Sequence, residues 1–129
     1  MNGKFLLDTN IIIALFAEDT AIHERISKAP EVFVPCIVIG ELYFGAYKSG
    51  RVKENHALID EFALNNMVLP CNADTARIYG EIKNLLKEKG RPIPENDIWI
   101  AAIARQYALT LVTRDPHFES VEDLKIELW

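Results

Sequence analysis

Four carboxylates, Asp8, Glu41, Asp97 and Asp115, stand where a charged side chain is costly. Asp8 lies in Phe-Leu-Leu-Asp-Thr-Asn-Ile-Ile-Ile, at the end of an apolar strand-like run. Glu41 is the only charged residue between Val32 and Tyr47, within Ile-Val-Ile-Gly-Glu-Leu-Tyr-Phe-Gly, on a segment read as a largely buried helix. Asp97 precedes Ile-Trp-Ile-Ala-Ala-Ile-Ala, and Asp115 follows Thr-Leu-Val-Thr by two positions. An ionised carboxylate withdrawn from water costs several kcal/mol unless it is protonated, paired with a cation or bound to metal. Arg114 is the main neighbour in sequence able to pair with Asp115, while Asp8 and Glu41 have no basic residue nearby. Metal therefore explains the set with the fewest assumptions. Carboxylate oxygens suit hard divalent ions such as magnesium or manganese, and no His or Cys cluster points to zinc, copper or iron.

Each acid also has an ordinary structural alternative. Asp8 could cap the helix that follows it, although Thr9 and Asn10 offer the same service. Glu41 could pair with a distant Lys or Arg. Asp97 could sit in a helix first turn, favoured by the dipole, and Asp115 could be a turn residue ahead of Pro116. It is their joint occurrence at the ends of core elements that favours a site.

The elements that must position them alternate along the chain. Residues 4–7, 32–34, 67–69, 110–113 and 125–128 are short runs of strand formers. Between them, sets such as Leu58, Ile59, Phe62 and Ala63, or Ala76, Tyr79, Ile82, Leu85 and Leu86, have the spacing of amphipathic helices. Asp74 is expected to cap the later helix, Gly90 to follow its end, and Pro92 and Pro94 to prevent its continuation. Strand, helix, strand alternation implies right-handed crossovers and a parallel sheet covered on both faces, an α/β fold. Asp8 and Asp115 then fall at the carboxyl edge of that sheet, where crevices form at a topological switch point.

Bulk properties narrow the function. A chain of 129 residues, 50% apolar and 26% charged, is expected to form one domain over 1–129 with an ordinary core. The apolar runs at 11–17 and 98–104 fall far short of the roughly 20 residues that span a bilayer, and no export signal is visible. No membrane partner is expected. Cys36 and Cys71 lack neighbours that would complete a zinc site and are read as buried thiols in a reducing cytoplasm. A net charge of −5 argues against wrapping nucleic acid with a basic surface. If nucleic acid is the substrate, local groups must neutralise it. Five Lys or Arg against two acids in 77–91, including Lys83 and Lys87, are candidates for RNA contacts, with a solvated helix face as the alternative.

With these motifs in hand, the chain resembles the PIN domain, and within it the VapC toxins of toxin and antitoxin pairs. The likeness rests on Leu7-Asp8-Thr9-Asn10, Gly40-Glu41-Leu42, Asn96-Asp97-Ile98-Trp99-Ile100-Ala101-Ala102 and Thr113-Arg114-Asp115-Pro116-His117-Phe118, in the family's order over essentially the whole chain. Arg114 departs from the Asn that many relatives carry there, and it too is a candidate RNA contact. The resemblance implies a three-layer α/β/α sandwich with a parallel sheet of four to five strands in order 3-2-1-4-5. It implies that Asp8, Glu41, Asp97 and Asp115 form one magnesium or manganese site, with Thr9, Asn10, Asn96 and Thr113 orienting them. It further implies an endoribonuclease toxin, a homodimer held inactive by a cognate VapB-type antitoxin.

Gathering four carboxylates raises their pKa values by mutual repulsion, so a cation is needed to keep them ionised together. A metal there could activate water against an RNA phosphodiester, leaving a 5'-phosphate and a 3'-hydroxyl. His23, His56 and His117 look isolated in sequence and are assigned no catalytic role. Tyr43, Phe44, Tyr47, Tyr79 and Trp99 are read as core or interface rather than as platforms for bases. Two other readings remain: a catalytically silent PIN domain that binds RNA or protein, and a phosphate-switched receiver-like module. The second lacks its early acidic pair. A haloacid-type phosphatase would want Asp where Asn10 stands.

Overall fold

The computed structural model describes residues 3–129. Five strands form one parallel sheet in the order β3-β2-β1-β4-β5, built from β1 (Lys4–Leu7), β2 (Glu31–Pro35), β3 (Met67–Leu69), β4 (Thr110–Thr113) and β5 (Ile126–Leu128). Six α-helices connect them: α1 (Thr9–Phe16) and α2 (Thr20–Lys28) after β1, α3 (Cys36–Tyr47) and α4 (Val52–Leu64) after β2, α5 (Ala73–Glu88) and α6 (Glu95–Gln106) after β3. A 3-10 turn, Pro116–Ser120, follows β4. This is the α/β sandwich and strand order anticipated above.

The central strands are apolar because both their faces are covered. Leu6, Leu7, Val34, Leu111 and Val112 are all but fully buried. Helix α6 is buried almost all round through Ile98 and the run from Ile100 to Ala104, and its three alanines let its backbone approach neighbours closely. By contrast α3 buries only Val38, Leu42 and Ala46, and leaves Phe44 and Tyr47 exposed. The expectation that α3 is largely buried is thus corrected: apolar residues run around the whole helix, and only one stripe faces the core.

Local stops follow from particular side chains. Asn72, not Asp74, caps α5, accepting from the Thr75 backbone N–H at 3.1 Å while the Thr75 hydroxyl accepts from the Asn72 N–H at 3.0 Å. Asp74 lies two residues too late and is a first-turn acid instead. Gly90 adopts φ +66°, the left-handed conformation that lets the chain leave α5, and Pro94 sits at the N-cap of α6. Cys36 and Cys71 are free and half-buried rather than buried, with their sulfurs 3.9 Å apart.

The chain leaves β1 toward β2 on one side, and β4 returns to its other side, so the strand order switches between β1 and β4. Leu7 is in register with Val112, and the Asp8 N–H donates to the Val112 carbonyl at 3.0 Å. The last residues of both strands thereby open onto one crevice.

Candidate metal centre

Asp8 begins the site. It is 5% exposed, directly after β1, and its side chain caps α1 by accepting the Thr9 N–H at Oδ1, 2.8 Å away. Its other oxygen, Oδ2, accepts the hydroxyl of Thr113 at 2.7 Å. The capping alternative is therefore true but incomplete, since one oxygen caps while the other faces β4. Burial raises the Asp8 pKa; the hydrogen bonds from Thr113 and Thr9 act against it, and the charges of Glu41 and Asp115 add to it.

Glu41 reaches the same place from α3. Its Oε1 accepts the Thr9 hydroxyl at 2.6 Å and its Oε2 accepts the Asn96 amide at 3.4 Å, tying α3 to the starts of α1 and α6. Asp97, in the first turn of α6, has a side chain 15% exposed. Its pKa is pushed up to about 6, chiefly by burial, against the hydrogen bond from His117, with Asp8 and Glu41 repelling its charge. Asp115 follows β4, caps the 3-10 turn at the His117 N–H, and at 37% is more open than Asp8 or Asp97.

Thr113 ties Asp8 to Asp115. Fully buried, it donates to Asp8 and accepts from the Asp115 N–H at 3.0 Å and the Asn10 amide at 3.5 Å. Asn10 in turn accepts the Arg114 N–H at 3.2 Å. All four acids and all four polar residues expected to orient them thus meet at one edge of the sheet.

Two expectations change. The Arg114 guanidinium turns away from Asp115, donating to Asp19 at 3.0 Å and to the Trp129 carbonyl at 3.0 Å. Asp19 caps α2, so this pair bolts the β4 loop to α2. His117 is not isolated: its Nδ1 lies 2.6 Å from Asp115 Oδ1, and its Nε2 contacts Asp97 Oδ2. One ligand atom each from Asp97, Asp115 and His117 lies within 4.8 Å of the others. Spacing could have hinted at this, because a 3-10 turn brings the residue two after Asp115 back beside it, but the link to Asp97 comes only from tertiary packing. Of the basic candidates, Lys83 is held by Glu95 at 3.1 Å and lies over the Tyr79 ring, which stacks on Trp99. Lys87 is exposed and makes no ion pair among the described residues.

The donors fit a divalent cation. Among the described residues no Lys or Arg pairs with any of the four acids; His117 contacts Asp97 and Asp115, and the charge that converges on Asp8 and Glu41 is left for another cation to balance. A set dominated by carboxylate oxygens suits a hard ion.

A family model for the PIN domain matches residues 5–124. Ribonuclease VapC2 of Haemophilus influenzae is 38% identical, covering 98% of each chain, and the tRNA(fMet)-specific endonuclease VapC of Shigella flexneri is 34% identical with the same coverage. Among solved structures, DNA-bound VapBC from Salmonella typhimurium superposes with a TM-score of 0.91 at 32% identity, over 100% of this chain and 99% of that one. The chain belongs to the PIN-domain family and, at this identity over nearly its full length, to the VapC ribonucleases within it. PIN-domain nucleases generally use a divalent metal, and the acid cluster such an ion requires is present here.

Proposed function

We propose that this chain is an endoribonuclease toxin that hydrolyses RNA phosphodiester bonds with magnesium or manganese, works in the cytoplasm, and is held inactive by a VapB-type antitoxin. The observation that carries the reading is Asp8: a carboxylate 5% exposed, raised in pKa by burial, close to three further acids and itself paired with no basic side chain among the described residues. A site so arranged is strained when empty and relieved by a cation. Relatives named ribonuclease and endonuclease support the activity, and solved VapBC complexes support the partner.

Asp8, Glu41, Asp97 and Asp115 would hold the ion. When bound, it supplies Lewis acidity toward a phosphoryl oxygen and lowers the pKa of the attacking water. The chain's own part is positional. Thr9 and Thr113 fix the Asp8 carboxylate by one donor on each oxygen, and Thr9 and Asn96 do the same for Glu41. Their rotamers are set before substrate arrives. Asp97 holds its proton until the pH passes about 6 or a cation displaces it. Of Lys83 and Lys87, Lys87 is the freer to meet an RNA phosphate, because Lys83 is already engaged by Glu95.

A groove of about 410 Å³ between α1, α3 and α4, lined by Ile13, Phe16, Leu42, Ala46 and Leu58 with Glu41 at its edge, suits an apolar segment of the antitoxin. The homodimer belongs to the same reading, with exposed Phe44 and Tyr47 as side chains such an interface would bury. No helix among the described residues is long and apolar enough to cross a membrane.

The test is cleavage of end-labelled RNA by the purified protein beside an Asp8→Asn control, with the new ends identified chemically. The reading predicts a 5'-phosphate and a 3'-hydroxyl from the unaltered protein and intact RNA from the variant. Equal cutting by both would overturn it.

A further inference from the structure

His117 is the group at this site that the four-acid reading leaves without a task. Asp115 accepts its backbone N–H at 3.3 Å, and the 3-10 turn that begins at Pro116 folds its ring back over the cluster. The ring also lies tilted against Phe118, fully buried, whose ring centroid is 5.0 Å away. Its two nitrogens then face different acids, Nδ1 toward Asp115 at 2.6 Å and Nε2 toward Asp97. With its side chain 30% exposed, the ring has neither the burial of a core histidine nor the freedom of a surface one.

An imidazole wedged between two carboxylates that must share a cation occupies part of the cation's own space. It either leaves when the ion enters or joins the ion. Leaving would abandon both carboxylate contacts and its seat on Phe118. Joining costs one hydrogen bond and keeps the other, and an imidazole that gives one nitrogen to a metal and the other to a carboxylate is a favoured arrangement, since the carboxylate fixes the ring and strengthens the donor. We propose that His117 is a direct nitrogen ligand of the divalent ion, and that it tilts the site toward manganese over magnesium. This rests on the metal-dependent reading above and deepens it. The preference follows from ligand type: magnesium favours an all-oxygen shell, whereas manganese, a transition metal, accepts imidazole nitrogen with less loss.

The experiment uses the purified chain stripped of metal, loaded with Mn2+, and examined by pulsed electron paramagnetic resonance for the hyperfine signature of directly bound 14N. Isothermal titration with Mn2+ and with Mg2+ runs alongside. The unaltered protein should show one bound nitrogen. His117→Gln should lose that signal and bind Mn2+ at least about tenfold more weakly, while Mg2+ affinity changes by less than about threefold. His117→Ala, with circular dichroism to confirm its fold, should repeat the pattern.

An all-oxygen signal from Mn2+ bound to the unaltered protein, lost in Asp8→Asn, would overturn the role of His117 and leave the metal site standing. A nitrogen signal that persists in His117→Gln would do the same, by assigning it to another histidine. Absence of Mn2+ binding, or equal binding by Asp8→Asn, would overturn both readings.

Discussion

The hydroxyl of Thr113 donates to Asp8 across 2.7 Å, and by that bond the end of β4 sets the rotamer of an acid at the end of β1. Both side chains are buried, so no water substitutes if either is changed. Thr113→Val keeps the shape and removes the donor. It should cost about 1–3 kcal/mol of stability, because a buried carboxylate loses one of its two hydrogen bonds. Thr113→Ser should lose less, since the donor remains. Urea unfolding of both variants without metal checks the ordering.

Asp8→Asn should separate stability from function. Removing a buried, repelled charge leaves the chelated protein within about 1 kcal/mol of its original stability, or above it, as is common where a site is held under strain. Thermal melting in chelator should therefore show an unchanged or higher midpoint, and added magnesium should no longer raise it.

The titration of Asp97 gives stability a pH dependence with a definite sign. Its folded pKa, about 6, exceeds its ordinary value of 3.8. Between those values the folded chain holds a proton that the unfolded chain has released, so this group's contribution falls as pH rises from about 4 to about 6 and levels off above. The raised Asp8 pKa acts in the same direction. Melting in chelator across pH 4 to 7 should show this decline relative to an Asp97→Asn control. Metal binding should show the opposite trend, weakening as protons return to Asp97 below about pH 6.

Lys83 and Lys87 should not be equivalent toward RNA. Glu95 already neutralises Lys83, whereas Lys87 is exposed without an ion pair among the described residues. Lys87→Glu should weaken RNA binding and lower the salt dependence by about one counterion. Lys83→Glu should weaken it less. Filter binding at several salt concentrations distinguishes them, and equal effects would place the RNA elsewhere.

Arg114 should matter for docking of the β4 loop more than for metal. Its partners are Asp19 and the Trp129 carbonyl, both partly exposed, so Arg114→Ala should lower stability only slightly and leave metal affinity unchanged. Calorimetry of the variant tests both halves.

How much of this was legible beforehand depended on the range of the interaction. Strand positions followed from short apolar runs and the parallel sheet from the alternation of strands and helices, whereas the strand order, and with it the switch between β1 and β4, came through the family resemblance. The four acids were visible because each stands within or at the end of an apolar element, a conflict that sequence displays directly. Thr9, Asn10, Asn96 and Thr113 were named through family resemblance; their partners needed the fold. His117 was missed because half its environment lies on α6, and Arg114 was misassigned because proximity in sequence to Asp115 said nothing about Asp19, far along the chain but adjacent in space. The cap of α5 was misplaced by two residues because Asn72 and Asp74 are both competent, and only the extended backbone of Asn72 decides between them.

In the proposed function the converging acids act through a cation. The most direct measurement is RNA cleavage by the purified protein in excess EDTA, followed by readdition of Mg2+ or Mn2+ to the same sample. Cleavage should stop with the chelator and return with either ion; cleavage that continues at full rate in EDTA would contradict the account.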